Sequence, residues 1–163
     1  MRGQHKGENG KVLVIGGSEG YAGAPALAGL AALRSGCDIA VIAAPEKVAY
    51  AINALSPDLI TRKLEGTALS AESVPLLEEL AEGFDCVLIG PGLGTAKETM
   101  EAVRMLCAAI KKPKVIDADA LKARPKLNNC IVTPHAKEFE LLFGKKATKA
   151  NAKKAAGKNT VVL

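Results

Sequence analysis

The sequence predicts an α/β fold of three layers, helix over sheet over helix, around a mostly parallel sheet. Two observations carry that expectation. Short apolar runs recur along the 163 residues, and most read as unbroken Val, Ile and Leu rather than as alternating polar and apolar residues. Unbroken runs of that kind are the mark of strands covered on both faces. Between the runs lie segments with helix-end signals, and strand–helix alternation calls for crossover connections and parallel neighbours.

Taken in order, the expected strands are KVLVIG (11–16), DIAVIAA (38–44), DLITRKL (58–64), CVLIG (86–90), KVIDA (114–118), NCIVT (129–133) and NTVVL (159–163). A helix is expected over 25–35, with Pro25 near its start and Gly36 just past its end. A second spans 96–111, where Thr95 and Glu98 form a T-x-x-E capping box. Its apolar residues Met100, Val103, Leu106, Cys107 and Ile110 share one stripe, and Lys111 and Lys112 close it where cations suit the helix dipole. A third covers 135–143 and stops at Gly144. Residues 1–10 read as a flexible polar tail and 11–163 as one partial domain, with no internal repeat or linker.

Composition narrows the function classes. Only five residues are aromatic (Tyr21, Tyr50, Phe84, Phe139 and Phe143), too few for a surface that stacks many bases. The net charge of +5 is concentrated: six lysines and no acid lie between 145 and 158, and the remainder holds 16 basic against 17 acidic residues. That stretch reads as a solvated helix face, and no nucleic-acid partner is expected. Cys37, Cys86, Cys107 and Cys130 stand far apart, without a C-x-x-C pair or a histidine at ligand spacing. Reduced, buried thiols in a cytoplasmic protein are expected, with no protein-held metal. No apolar window reaches the roughly 18 residues of a membrane span, and the amino terminus has no signal-peptide core.

In parallel α/β sheets ligands bind beyond the carboxyl ends of the strands. Four unusual loops fall there: GGSEGYAGAP (16–25), GPGLGT (90–95), DADAL (117–121) and TPHAKEF (133–139). The first is neither a P-loop nor G-x-G-x-x-G, and reads either as a ligand cradle or as a tight turn. The second sets three glycines around a proline and reads as a rigid wall low in side chains, or as a turn whose glycines serve geometry alone. Asp117 ends a strand and faces either a ligand or a magnesium ion carried by phosphates; Asp119 is placed to cap the next short helix. His135, with Glu138 one turn on, is either a neutral hydrogen-bonding group of a site or a cap. No Ser-His-Asp set, HExxH or catalytic carboxylate pair can be assembled.

In this order the segments GKVLVIGGSEGYAGAPALAGLAALRSGCD, VLIGPGLG, VIDADAL and VTPHAKEFELLFG resemble the NAD(P)H-hydrate dehydratase family of the ribokinase-like superfamily, from about Lys11 to Leu163. The resemblance implies a ribokinase-like fold and ADP- or ATP-dependent dehydration of NADHX and NADPHX back to NADH and NADPH, with Mg2+. A phosphoryl group placed on the ring hydroxyl makes it a good leaving group, chemistry done by positioning and charge stabilisation. Carried over by motif, Ala24, Gly92, Gly94, His135 and Glu138 are implied to line the substrate, and Asp117 holds a family-typical place.

The family's later Lys-Gly and G-G-T-G-D segments, with the expected catalytic Asp, have no counterpart among these residues. The expectation is therefore an amino-terminal fragment with little or no activity by itself. Its last strand edge would be covered by a homo-oligomer or by a further carboxyl-terminal part. The alternatives are a small-molecule kinase of the same superfamily, or a non-catalytic nucleotide-binding remnant.

Overall fold

A computed structural model describes residues 8–157 and 159–163. Seven strands form one sheet: β1 (Lys11–Ile15), β2 (Ile39–Pro45), β3 (Ile60–Leu64), β4 (Cys86–Ile89), β5 (Lys114–Ile116), β6 (Cys130–Val132) and β7 (Thr160–Val162). Their spatial order is β3-β2-β1-β4-β5-β6-β7, and every neighbouring pair is parallel. The helices are α1 (Gly23–Arg34), α2 (Glu46–Asn53), α3 (Val74–Ala81), α4 (Lys97–Ala109), α5 (Asp119–Lys122), α6 (Ala136–Phe143) and α7 (Lys149–Ala155). Strand order reverses between β1 and β4, so their carboxyl ends flank the crevice where doubly wound sheets bind ligands.

Each face of the sheet has its own core. Leu13, Ile15, Val87, Ile89, Ile116 and Val132 pack against Leu77 of α3, Leu106 of α4 and Leu121 of α5, all fully buried. Val14, Ile42 and Ala44 face the other way, onto Ala26 of α1 and Val48 and Ile52 of α2. Successive strand residues point to opposite faces, so a strand buried on both sides must be apolar at every position, as the central runs are.

The second face is covered over β1, β2 and β3 but thins toward β7. Leu88, Val115, Ile131 and Val161 are in register across β4–β7, on the side of Val14. Exposure rises outward along that row, to 37% at Ile131 and 48% at Val161.

Several local expectations are corrected. Helix α4 is capped at Ala96 with no side-chain hydrogen bond, so Thr95 and Glu98 do not form the expected capping box. Asp119 is the first residue of α5 rather than its cap, which is Ala118. Among the described residues of the lysine-rich stretch, helix covers Lys149–Ala155, and no residue of that helix is buried. Helices α2 and α3 are additional to the three expected: α2 begins directly at the end of β2, and α3 follows a 3-10 turn at Ala71–Ser73, with Pro75 in its first turn. Cys107 and Cys130 are buried, whereas Cys37 and Cys86 are half-buried. Of the expected tail at 1–10, residues 1–7 lie outside the described residues. Asn9 is tied to Asp38 through its amide N (3.0 Å) and its side chain (3.0 Å). Among the described residues no helix is long and apolar enough to cross a membrane.

Candidate functional site at the carboxyl rim

The loops after β1, β4, β5 and β6 form one continuous rim, joined by hydrogen bonds. The Gly17 amide donates to the Pro91 carbonyl (2.9 Å), and Ser18 Oγ donates to the Gly92 carbonyl (2.8 Å). The Gly94 amide donates to Asp119 Oδ2 (2.9 Å). Thr133 Oγ1 donates to Asp117 Oδ1 (2.6 Å), which ties the loop after β6 to the end of β5.

Two glycines are required by these close approaches. At Gly90, φ is +137°, and a Cβ would overlap the carbonyl oxygen of Asp117. At Gly92, φ is +70°, and a Cβ would lie 2.9 Å from both Cβ and the carbonyl oxygen of Tyr21. The GPGLG loop is thus pressed between the first glycine loop and the DADAL turn, with Pro91, Gly92 and Leu93 buried. Ala118 sits between the two aspartates at φ +50°, outside the regions that ordinary residues prefer. Strain of that kind costs on the order of 1–3 kcal/mol and gathers where a structure must hold groups for function.

Asp119 has two partners. Besides Gly94 it accepts from Lys122 Nζ at 2.7 Å, and that hydrogen bond is the main cause raising the Lys122 ammonium above its ordinary range. Glu138 and Tyr21 add smaller contributions in the same direction.

His135 caps α6. Its Nδ1 accepts from the amides of Lys137 (3.2 Å) and Glu138 (3.4 Å), while the His135 amide donates to Glu138 Oε2 (3.0 Å). This reciprocal pair is a capping box with histidine in the usual Ser or Thr place. Since Nδ1 accepts, the ring proton of the neutral imidazole belongs on Nε2, 3.2 Å from Glu138 Oε1. Glu138 is buried, while the imidazole is 64% exposed and open to a ligand. The capping reading of His135 is borne out, and the rest of the ring remains at the surface.

Of the sequence-predicted residues, Gly92, Gly94 and Asp117 lie within the hydrogen-bonded rim, and His135 and Glu138 stand at its β6 end. Ala24 is exposed in the first turn of α1. It is fixed by Pro25, whose ring lies against the positions where Cβ atoms of Gly16 (3.2 Å) and Gly92 (3.5 Å) would stand. Sequence reasoning missed Ser18, Tyr21, Lys122 and Thr133. Ser18 was signalled only by being the small hydroxyl residue inside a glycine loop, and Thr133 by its place at a strand end. Among the described residues no group of three or more His, Cys, Asp or Glu side chains is placed to hold a metal ion.

A doubly wound parallel sheet whose carboxyl rim is built from glycine loops defines an α/β protein of the ligand-binding class. A ribokinase-like protein of Enterococcus faecalis superposes on the whole chain with a TM-score of 0.82 at 24% identity, a likeness of fold. The family profile described as NAD(P)H-hydrate dehydratase matches residues 12–162, and the chain belongs to that family. It is 55% identical over 144 residues to the bifunctional NAD(P)H-hydrate repair enzyme of Pyrobaculum aerophilum, covering 85% of this chain and 29% of that protein. A crystal structure of the ADP/ATP-dependent NAD(P)H-hydrate dehydratase of Bacillus subtilis, co-crystallized with ATP/Mg2+, matches at 31% identity with a TM-score of 0.79. That match covers 98% of this chain and 58% of that one. The chain therefore spans under a third of the bifunctional relative and about three-fifths of the solved structures.

Proposed function

We propose that this chain binds the hydrated nicotinamide dinucleotides NADHX and NADPHX and serves their ADP- or ATP-dependent dehydration to NADH and NADPH. The observation that carries this reading is the convergence of the loops at 16–25, 90–95, 117–121 and 133–139 on one rim. The bond from Ser18 Oγ to the Gly92 carbonyl and the bond from Gly94 to Asp119 fix the wall between the first and third loops.

The work of each group follows from its chemistry. Gly92 and Gly94 let the backbone approach a dinucleotide closely. Ala24, at the start of α1, bounds the site without filling it. His135 has both ring nitrogens engaged, Nδ1 by the helix amides and Nε2–H by Glu138, so it presents a fixed, exposed ring face to a ligand. Asp117, held by Thr133, is a fixed acceptor at the end of β5. Together they position a ligand and exclude water, which is most of what phosphoryl-transfer-assisted elimination asks of a protein. The adenine nucleotide is proposed as co-substrate. Among the described residues no metal-holding set is present, and magnesium would arrive with the nucleotide phosphates.

The test is to incubate the purified chain with NADHX, ADP or ATP, and magnesium, and to follow both thermal stability and recovery of NADH. Stabilisation by the dinucleotide supports the binding role, and NADH formation supports the full reaction. Neither stabilisation nor turnover, with phosphorylation of some other small alcohol instead, would replace this reading with a kinase.

A further inference from the structure

A cavity of about 490 Å³ lies beside the glycine wall, at the carboxyl ends of β1, β2 and β3. It is a separate compartment from the rim over β4–β6, but one wall is shared. Tyr21, which presses on Gly92, and Ser18, which donates to the Gly92 carbonyl, belong to the segment 18–22 that also lines the cavity. Its volume falls in the range of about 300–1,000 Å³ common to small-molecule sites. Tyr21, Val48 and Ala51 give it an apolar lining with one aromatic ring, and its charged lining groups are Glu19, Glu46 and Lys47.

We propose that this cavity receives the adenosine half of the dinucleotide, and that its two carboxylates against one ammonium favour the form with a free ribose 2′-hydroxyl. The proposal rests on the reading above and extends it to the other end of the same ligand. A dinucleotide whose nicotinamide end lies against Gly92 reaches this cavity by crossing the Ser18–Ala22 loop, whose residues form part of the cavity lining. An adenine ring suits apolar walls and an aromatic edge. A carboxylate at the mouth accepts a hydrogen bond from a ribose hydroxyl and repels a 2′-phosphate, so specificity comes from repulsion as well as attraction.

The experiment is an amide NMR titration of the full 163-residue chain with three probes: AMP, 2′,5′-ADP and nicotinamide mononucleotide. AMP is expected to shift Tyr21, Val48 and Ala51, and nicotinamide mononucleotide to shift Gly92, Gly94 and His135. AMP should bind about fivefold tighter than 2′,5′-ADP, the size expected for exposed, solvent-screened charges. Ala51→Trp fills the cavity from an exposed helix position and should weaken AMP roughly tenfold or more. Glu46→Lys, also exposed, should reverse the preference between the two adenylates. Nicotinamide mononucleotide binding without AMP at the cavity overturns this inference and leaves the proposed function standing; binding of neither overturns both. Tighter binding of 2′,5′-ADP, or AMP affinity unchanged in the Ala51→Trp variant, also refutes it.

Discussion

Replacing Gly92 by alanine tests the glycine wall directly. The backbone there has φ +70°, and for an L-residue the left-handed region costs roughly 1–2 kcal/mol. The added Cβ would also lie 2.9 Å from two Tyr21 atoms, one of them the carbonyl oxygen. Backbone cannot swing aside like a side-chain tip, and forced overpacking adds about 1–3 kcal/mol. The total is about 2–5 kcal/mol, which lowers the melting temperature by on the order of 10 °C for a domain of this size. Gly94→Ala is the internal control. Its φ of +76° carries the same conformational cost, but its Cβ would stand 3.7 Å from Ser18 Oγ, an ordinary contact. Urea unfolding of both variants isolates the clash as their difference. Gly92→Ala should be the less stable by at least about 1 kcal/mol and should also lose affinity for nicotinamide mononucleotide, because the 18–21 loop must move. If Gly94→Ala proves equally costly, or Gly92→Ala stays within about 0.5 kcal/mol of the parent, the close packing of the two loops is refuted.

Three further outcomes are expected. Thr133→Val removes the hydroxyl that donates to Asp117 at 2.6 Å and should cost about 1–3 kcal/mol while loosening the loop after β6, read by faster amide exchange at 133–138. Burial pushes the Cys107 thiol from 9.0 up to about 12, so above pH 9.0 the unfolded chain releases a proton that the folded chain keeps, and stability falls as pH rises. Lys114, lowered by burial, acts in the opposite sense by favouring the folded state as pH rises toward 10.5, so the comparison is between the parent and Cys107→Ala. From neutral pH to about pH 10 the parent should lose about 1 kcal/mol more than that variant, measured by urea unfolding; equal slopes would contradict the burial argument. Val161→Lys, on the exposed end of the uncovered apolar row, should change stability by less than about 1 kcal/mol and reduce light scattering by concentrated samples, whereas loss of the fold would mean that this face is packed.

The parallel sheet was legible because burial on both faces leaves a simple trace: VLVI (12–15) and IAVIAA (39–44) have no polar position to give to solvent. The order of the rim loops was legible for a related reason, since Gly90, Gly92 and the DADAL turn are local choices that only certain backbones tolerate. Helix ends were harder. Thr95 and Glu98 have the capping-box spacing, yet the chain enters α4 one residue later, because Pro91 to Gly94 are held by contacts to Tyr21, Ser18 and Asp119 rather than by the helix. Asp119 was misread in the same way: a short polar residue before a helix looks like a cap until a distant amide, that of Gly94, claims it.

Local physics in the chain thus settled the strands, the covered faces and the family-bearing loops, since each follows from burial period or from allowed backbone angles within a few residues. Only the folded arrangement decided which loops touch. Ser18 meets Gly92 across 74 residues of sequence, Asp119 meets Gly94 across 25, and the cavity beyond Tyr21 exists only once β1, β2 and β3 lie side by side. Hydrogen bonds and steric limits of that range depend on strand order, and strand order is a property of the whole sheet.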